Sequence, residues 1–307
     1  MTRARHPRPR VFAVIVVVAV VAAVVVGLVV WVSSTRAGTA QEAARDYLRA
    51  LESGDSAAVA ATGVEVSPDA LVAFDSVSSL LTDGTVVTTD QEGSIATAQI
   101  SFTIDGDAHE AQLALSFSSG RWVPDASALT SVTASPSIGS AVAIGDAVFP
   151  TTSPLALLPA VYTLAAAPTD LLDGSAKIVA LPGADAETAL DAELRPEASV
   201  AAQSLLDEHL TDCAASTIVS PPACGIRIPW GTEFRAITDA SFRIEALPDL
   251  LLDADGRGFT ADGGGLVATL TGTGQDGTER STTYRTDDWA ARGDIAFTTN
   301  GMTLTVW

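Results

Sequence analysis

Between Val11 and Val32 the chain runs through twenty-two residues without a charge, and no other feature of the sequence restricts its fold as strongly. As a helix rising about 1.5 Å per residue, such a run would span roughly 33 Å, close to the hydrocarbon thickness of a bilayer. The apolar core of a secretory signal peptide is shorter, about 7 to 15 residues, so the run reads as an uncleaved signal anchor. Arg3, Arg5, Arg8 and Arg10 precede it, whereas Arg36 alone follows closely. By the positive-inside rule, residues 1–10 are then a cytoplasmic tail, residues 11–32 a transmembrane helix, and everything past Ser33 extracellular. The lipid bilayer is therefore the first expected partner, met through residues 11–32 by a single-pass protein of the cell membrane.

The rest of the chain is strongly acidic. All 37 acidic residues follow residue 40, against thirteen basic residues beyond the apolar run, a formal charge of about −24. That field disfavours nucleic acid as a partner. Arginine almost replaces lysine, of which Lys177 is the single example, and Ala and Val are heavily used; this is the bias of a high-GC bacterial genome.

Two cysteines, Cys213 and Cys224, flank a loop containing Pro221 and Pro222. In an oxidising compartment such a pair reads as one disulfide. Two thiolates without neighbouring histidines do not complete a tetrahedral zinc shell, so a metal is not expected there.

Residues 39–130 form the first expected domain. Thr39 and Glu42 make a capping box ahead of a helix with Ala40, Ala44, Tyr47, Leu48 and Leu51 on one stripe. A short helix after Asp55 and a third after Ser67-Pro68, running to Leu81, lead into strands. Ala96, Ala98, Ile100, Phe102 and Ile104 alternate with polar residues, Asp105-Gly106 turns the chain, and Ala111, Leu113, Leu115 and Phe117 resume the alternation. Ser131 to Pro136 reads as a Ser/Thr/Ala linker. Short apolar stretches between Pro, Gly and Asp-Gly turns then suggest a small β-sandwich over residues 137–195. Residues 199–307 form a second α+β domain, starting with a helix capped by Ser199, carrying the disulfide and closing on a hairpin with a type I′ turn at Asn300-Gly301. Its helix, hairpin and tryptophan strand repeat the order of residues 39–125, which reads as a divergent duplication.

The segments ARDYLRALESGD (residues 44–55) and SSGRWVPD (residues 118–125) resemble the cystatin-like or NTF2-like fold of exported actinobacterial lipoproteins and membrane proteins. LLPAVYTL (residues 157–164) is similar to a strand of small β domains that sit between NTF2-like repeats in envelope proteins of the teicoplanin-resistance-associated type, with Ala160 in place of their glycine. The resemblance implies an α+β fold class: an N-terminal transmembrane helix followed by NTF2-like modules, helices on a curved antiparallel sheet, and a small β-sandwich module. It also implies a conical pocket between helices and sheet, which hosts chemistry in some members and packing alone in others.

No residue pattern marks a catalytic, cofactor-binding or metal site. His109 should face the apolar side of the first hairpin near its rim, and His209 lies beside the stripe of the third unit's helix. DADGRG, residues 253–258, departs from a calcium loop where Arg257 replaces a carboxylate, and reads as a tight turn. The sequence therefore leads to a non-catalytic envelope interaction or scaffold protein, with cell-wall polymer or envelope proteins as partners, no cofactor and no enzymatic role. The alternative is a small-ligand binder or sensor using an NTF2-like cone.

Overall fold

The structure, a computed structural model, describes residues 38–228 and 232–307, so the expected cytoplasmic tail at 1–10 and membrane span at 11–32 lie outside the described residues. The described residues include eighteen strands, four α-helices and a short 3-10 turn at Ala126–Ala128. The chain is thus mostly β, which corrects the expected α+β class; among the described residues no helix is long and apolar enough to cross a membrane. The physical reason is local. Only two segments carry helical apolar spacing for more than two turns, and the stretches between are rich in Thr, Val and Ala and are cut by positive-φ turns such as Asp105-Gly106 and Ser119-Gly120.

In the first unit, α1 (Ala40–Ser53), α2 (Ser56–Ala61) and α3 (Pro68–Phe74) precede a meander of β1 (Thr82–Glu92), β2 (Ile95–Ile104), β3 (Asp107–Ser118) and β4 (Arg121–Pro124), paired in that order. The capping box forms: the Glu42 amide donates to Thr39 Oγ1 at 3.2 Å and the Thr39 amide to Glu42 Oε2 at 2.9 Å. These bonds hold the Glu42 carboxyl below its ordinary range. Thr39→Ala should cost about 1 kcal/mol of stability in thermal unfolding, the usual loss for such a cap. α3 stops at Phe74, short of the expected Leu81; Ser78 and Ser79 instead bond to Val161, two-way, at 2.8 and 2.9 Å. Strand β1 carries no clear apolar alternation and lies mostly exposed, which is why it escaped the sequence reading.

Ser131 to Pro136 is not a linker. It is the core of β5 (Thr130–Pro136), the middle strand of a sheet ordered β12-β5-β8, with β12 (Asp185–Leu190) parallel and β8 (Leu155–Leu157) antiparallel to it. Val132 and Ala134 point inward and are buried, which supplies the driving force that composition concealed. A second sheet, β11-β9-β6-β7, is built from β6 (Ala141–Ile144), β7 (Ala147–Pro150), β9 (Ala160–Ala166) and β11 (Ser175–Ala180), with β10 (Leu172–Asp173) and β13 (Glu193–Leu194) as a small separate pair. Both larger sheets share one apolar core with the first unit, in which Tyr47, Phe74, Phe102, Leu157 and Tyr162 are fully or almost fully enclosed. The two units are one packed body.

The third unit sets α4 (Pro196–Ala214) against β14 (Phe234–Ala246), β15 (Asp249–Leu252), β16 (Gly258–Gly274), β17 (Glu279–Thr298) and β18 (Gly301–Val306). The sheet runs β14-β16-β17-β18, with β15 beside β16. α4 begins at Pro196 behind Arg195 rather than at Ser199, because proline is favoured in the first turn. Thr298 pairs with Gly301, so the last hairpin turns on Thr299 and Asn300, and only Gly301 has positive φ; the expected Asn300-Gly301 type I′ turn is corrected. Both end units lay a helix on an antiparallel meander, yet three helices over four strands face one helix over five. Ile138 and Leu172 of the second unit enter the third unit's core.

Candidate functional site: a groove beside the disulfide

The site begins with α4. Ala198, Ala202, Leu206, Leu210 and Cys213 recur at helical spacing and are buried, which fixes Cys213 over the sheet. Cys213 and Cys224 form the expected disulfide, with Cα atoms 5.8 Å apart. The loop is fastened again at the same residue: Trp289 Nε1–H donates to the Cys224 carbonyl at 3.2 Å. Gly225 follows with φ +63°, and a Cβ there would stand 2.4 Å from the Ala290 carbonyl, so only glycine fits.

Beyond this double fastening, residues 225–228 line one side of a groove of about 620 Å³. Its apolar lining comes from Ile226, Ile228, Leu266, Ala268 and Trp289, and Trp307 stands at one end, 65% exposed. The lining also includes three arginines, Arg227, Arg285 and Arg292, and one carboxylate, Asp288. Arg285 is engaged by Glu245 at 2.9 Å and Asp287 at 3.3 Å. Arg227 and Arg292 have no ion pair among the described residues. Two guanidiniums without an ion pair therefore stand at this groove, in a chain of formal charge −20. The Tyr284 hydroxyl at the groove is shielded from water without meeting hydrogen-bond geometry, and loss of hydration, then the nearby Glu233 carboxylate, raises its pKa.

The strand that supplies much of the lining, β17, also has an open edge. β18 pairs with β17 only from Gly293 to Thr298, and the Trp307 amide adds one bond to the Arg292 carbonyl. Among the described residues no strand covers the outer edge of β17 from Glu279 to Ala291.

A second depression, of about 910 Å³, lies along α1, α2 and β4. Its arginines are engaged: Arg49 pairs with Asp46 at 3.1 Å, and Arg121 donates to the Ala61 carbonyl at 3.0 Å. The conical space of the first unit is filled, since Phe74, Phe102 and Trp122 all belong to its core. His109 stacks on Phe102 at 5.8 Å between ring centres and is half-buried at the sheet rim, where the alternation put it. DADGRG is a tight turn held by Asp253 amide to Gly258 carbonyl and Gly256 amide to Asp253 carbonyl bonds, both 2.9 Å.

His209 is the residue whose surroundings the sequence reading missed. Its Nε2 lies 2.7 Å from the Ala223 carbonyl and 3.6 Å from Cys213 Sγ, so the cysteines do have a histidine neighbour. The i,i+4 spacing of His209 and Cys213 carried that signal. All three ligand atoms lie within 4.8 Å of one another. With both sulfurs in the disulfide, no thiolate is left to hold a metal.

The third unit thus belongs to the class of helix-backed β sheets that present a groove at a free strand edge. No protein family, curated protein or solved structure matches the chain.

Carboxylates with altered acidity sit away from the groove lining. Asp276 is held below its ordinary range, first by the Thr278 hydroxyl and amide. For Glu42 and Asp276 the unfolded chain takes up a proton first as pH falls. Their contribution is therefore complete above the unfolded-state value and lost as pH drops through the depressed folded one. An NMR titration should show both carboxyls ionising below the ordinary range of their residue types, with Thr278→Ala returning Asp276 toward it.

Proposed function

We propose that this chain is an extracytoplasmic, non-catalytic interaction protein of the cell envelope, attached to the bilayer through residues 11–32, whose recognition surface is the groove of the third unit. The observation that carries this reading is the pair of open guanidiniums, Arg227 and Arg292, beside an apolar floor of Ile226, Leu266 and Ala268. Interfaces favour this combination of arginine and tryptophan anchors around an apolar centre. The first two units, fused through one core, form the body that lies between the apolar run and the third unit along the chain. The reading as a small-ligand binder through the first cone is disfavoured by Phe74, Phe102 and Trp122, which occupy that space.

The test is capture of envelope proteins by the full chain in detergent, compared with an Arg227→Ala/Arg292→Ala variant. A partner retained by the parent chain and lost by the variant is the expected outcome. Equal recovery by both would refute the groove as the recognition surface. Attachment is checked separately: protease added to intact spheroplasts should digest the body and spare residues 1–10.

A further inference from the structure

We propose that the groove receives an extended acidic peptide segment of a partner protein, which adds a strand to the open edge of β17. This deepens the interaction reading above and rests on it. An unpaired strand edge offers a row of amide donors and carbonyl acceptors, and strand addition draws affinity from that ladder while side-chain pockets give specificity. Three observations converge on β17. Its outer edge from Glu279 to Ala291 has no paired strand among the described residues, while β18 already shows the pairing mode over Gly293 to Thr298. Residues 225–228 line a space of about 620 Å³ together with Tyr284, Arg285 and Thr286 of β17, and among the described residues they make no backbone hydrogen bond to that strand.

Charge then selects the occupant. Arg227 and Arg292 want carboxylates, and Ile226, Leu266 and Ala268 want apolar side chains. Side chains alternate in direction along a strand. A segment that alternates acidic and apolar residues meets both demands at once. The edge of β1 makes the contrast: it is exposed too, but carries Asp83, Asp90 and Glu92 and would repel the same segment. The shift in register between Thr286 and Trp289 bends β17 around Asp287 and Asp288, so the added strand would pair with Ser281–Thr286.

The test uses the full chain in detergent micelles and a fluorescent peptide of alternating glutamate and valine, read by anisotropy. Three comparisons accompany it: the same peptide N-methylated at alternate residues, a lysine–valine analogue, and the Arg227→Ala/Arg292→Ala variant. The parent peptide should bind, and N-methylation, charge reversal and the double variant should each weaken binding about tenfold or more. In hydrogen exchange, amides in Ser281–Thr286 should gain protection on peptide addition. Equal binding of the N-methylated peptide would show charge attraction without strand addition and overturn the proposal. If the peptide fails to bind while the double variant still loses the envelope partner, strand addition is wrong and the groove reading stands. If neither responds, both are wrong.

Discussion

Replacing Tyr47 by alanine should destabilise the protein by about 3–5 kcal/mol, the range for removing a large buried aromatic ring. Tyr47 is fully enclosed, and its hydroxyl donates to the Ala128 carbonyl at 3.2 Å. That carbonyl precedes β5, so the side chain ties α1 to the start of the second unit as well as filling the shared core. Tyr47→Phe keeps the ring and should cost only about 1 kcal/mol, for the bond lost at Ala128. The comparison separates packing from hydrogen bonding. Burial also pushes the Tyr47 and Tyr162 hydroxyls well above the ordinary tyrosine range. The unfolded chain therefore loses these protons first, and stability should decline as pH rises above about 10. Chemical denaturation of Tyr47→Phe along an alkaline pH series should show a shallower decline than the parent chain.

Converting Cys213 and Cys224 together to serine should cost about 3 kcal/mol by the loop-entropy account. The two cysteines are 11 positions apart, and both are buried. The larger consequence is for the groove. Cys224 positions Gly225, and from there Ile226 and Arg227 follow as one wall. Without the disulfide, the loop keeps only side-chain bonds from Trp289 to the Cys224 carbonyl and from His209 to the Ala223 carbonyl, so hydrogen exchange should speed up across residues 219–228 before it does so in β17. Calorimetry measures the stability loss, and exchange measures the loosening. A variant that loses stability with unchanged exchange at 219–228 would contradict the role given to the disulfide as the anchor of that wall.

Much of the fold was legible wherever a single segment carries its own signal. Thr39 and Glu42 announce α1, the Ala96 to Ile104 alternation announces β2, and Asp105-Gly106 announces the turn to β3. Segments whose partners are remote were harder. β5 alternates Val132 and Ala134 with Ser and Thr, but the small side chains look like linker composition. Its parallel partner β12 begins more than fifty residues away, and parallel pairing leaves no turn for the sequence to show. The overall class was misjudged for a related reason: helical caps are strong local signals, whereas short strands such as β8 and β10 have almost none.

The groove was illegible as a unit. Arg227 sits on a loop, Arg285 and Arg292 on a strand, and Ile226 near a cysteine. Only the disulfide, the close approach at Gly225 and the long β17 bring them together. The cysteine pair itself was readable, and its loop leads directly into Gly225 and Ile226. His209, one turn from Cys213, could have been placed beside it from helical geometry alone.

The most direct test of the groove as the recognition surface is photo-crosslinking in living cells from two exposed positions. A photoreactive phenylalanine replaces Thr286 in the groove or Val87 on β1, which is 57% exposed on the first unit. A discrete protein adduct from position 286, absent from position 87 and lost with Arg227→Ala/Arg292→Ala, is the predicted result. An adduct formed from position 87 alone, or equally from both, would contradict it.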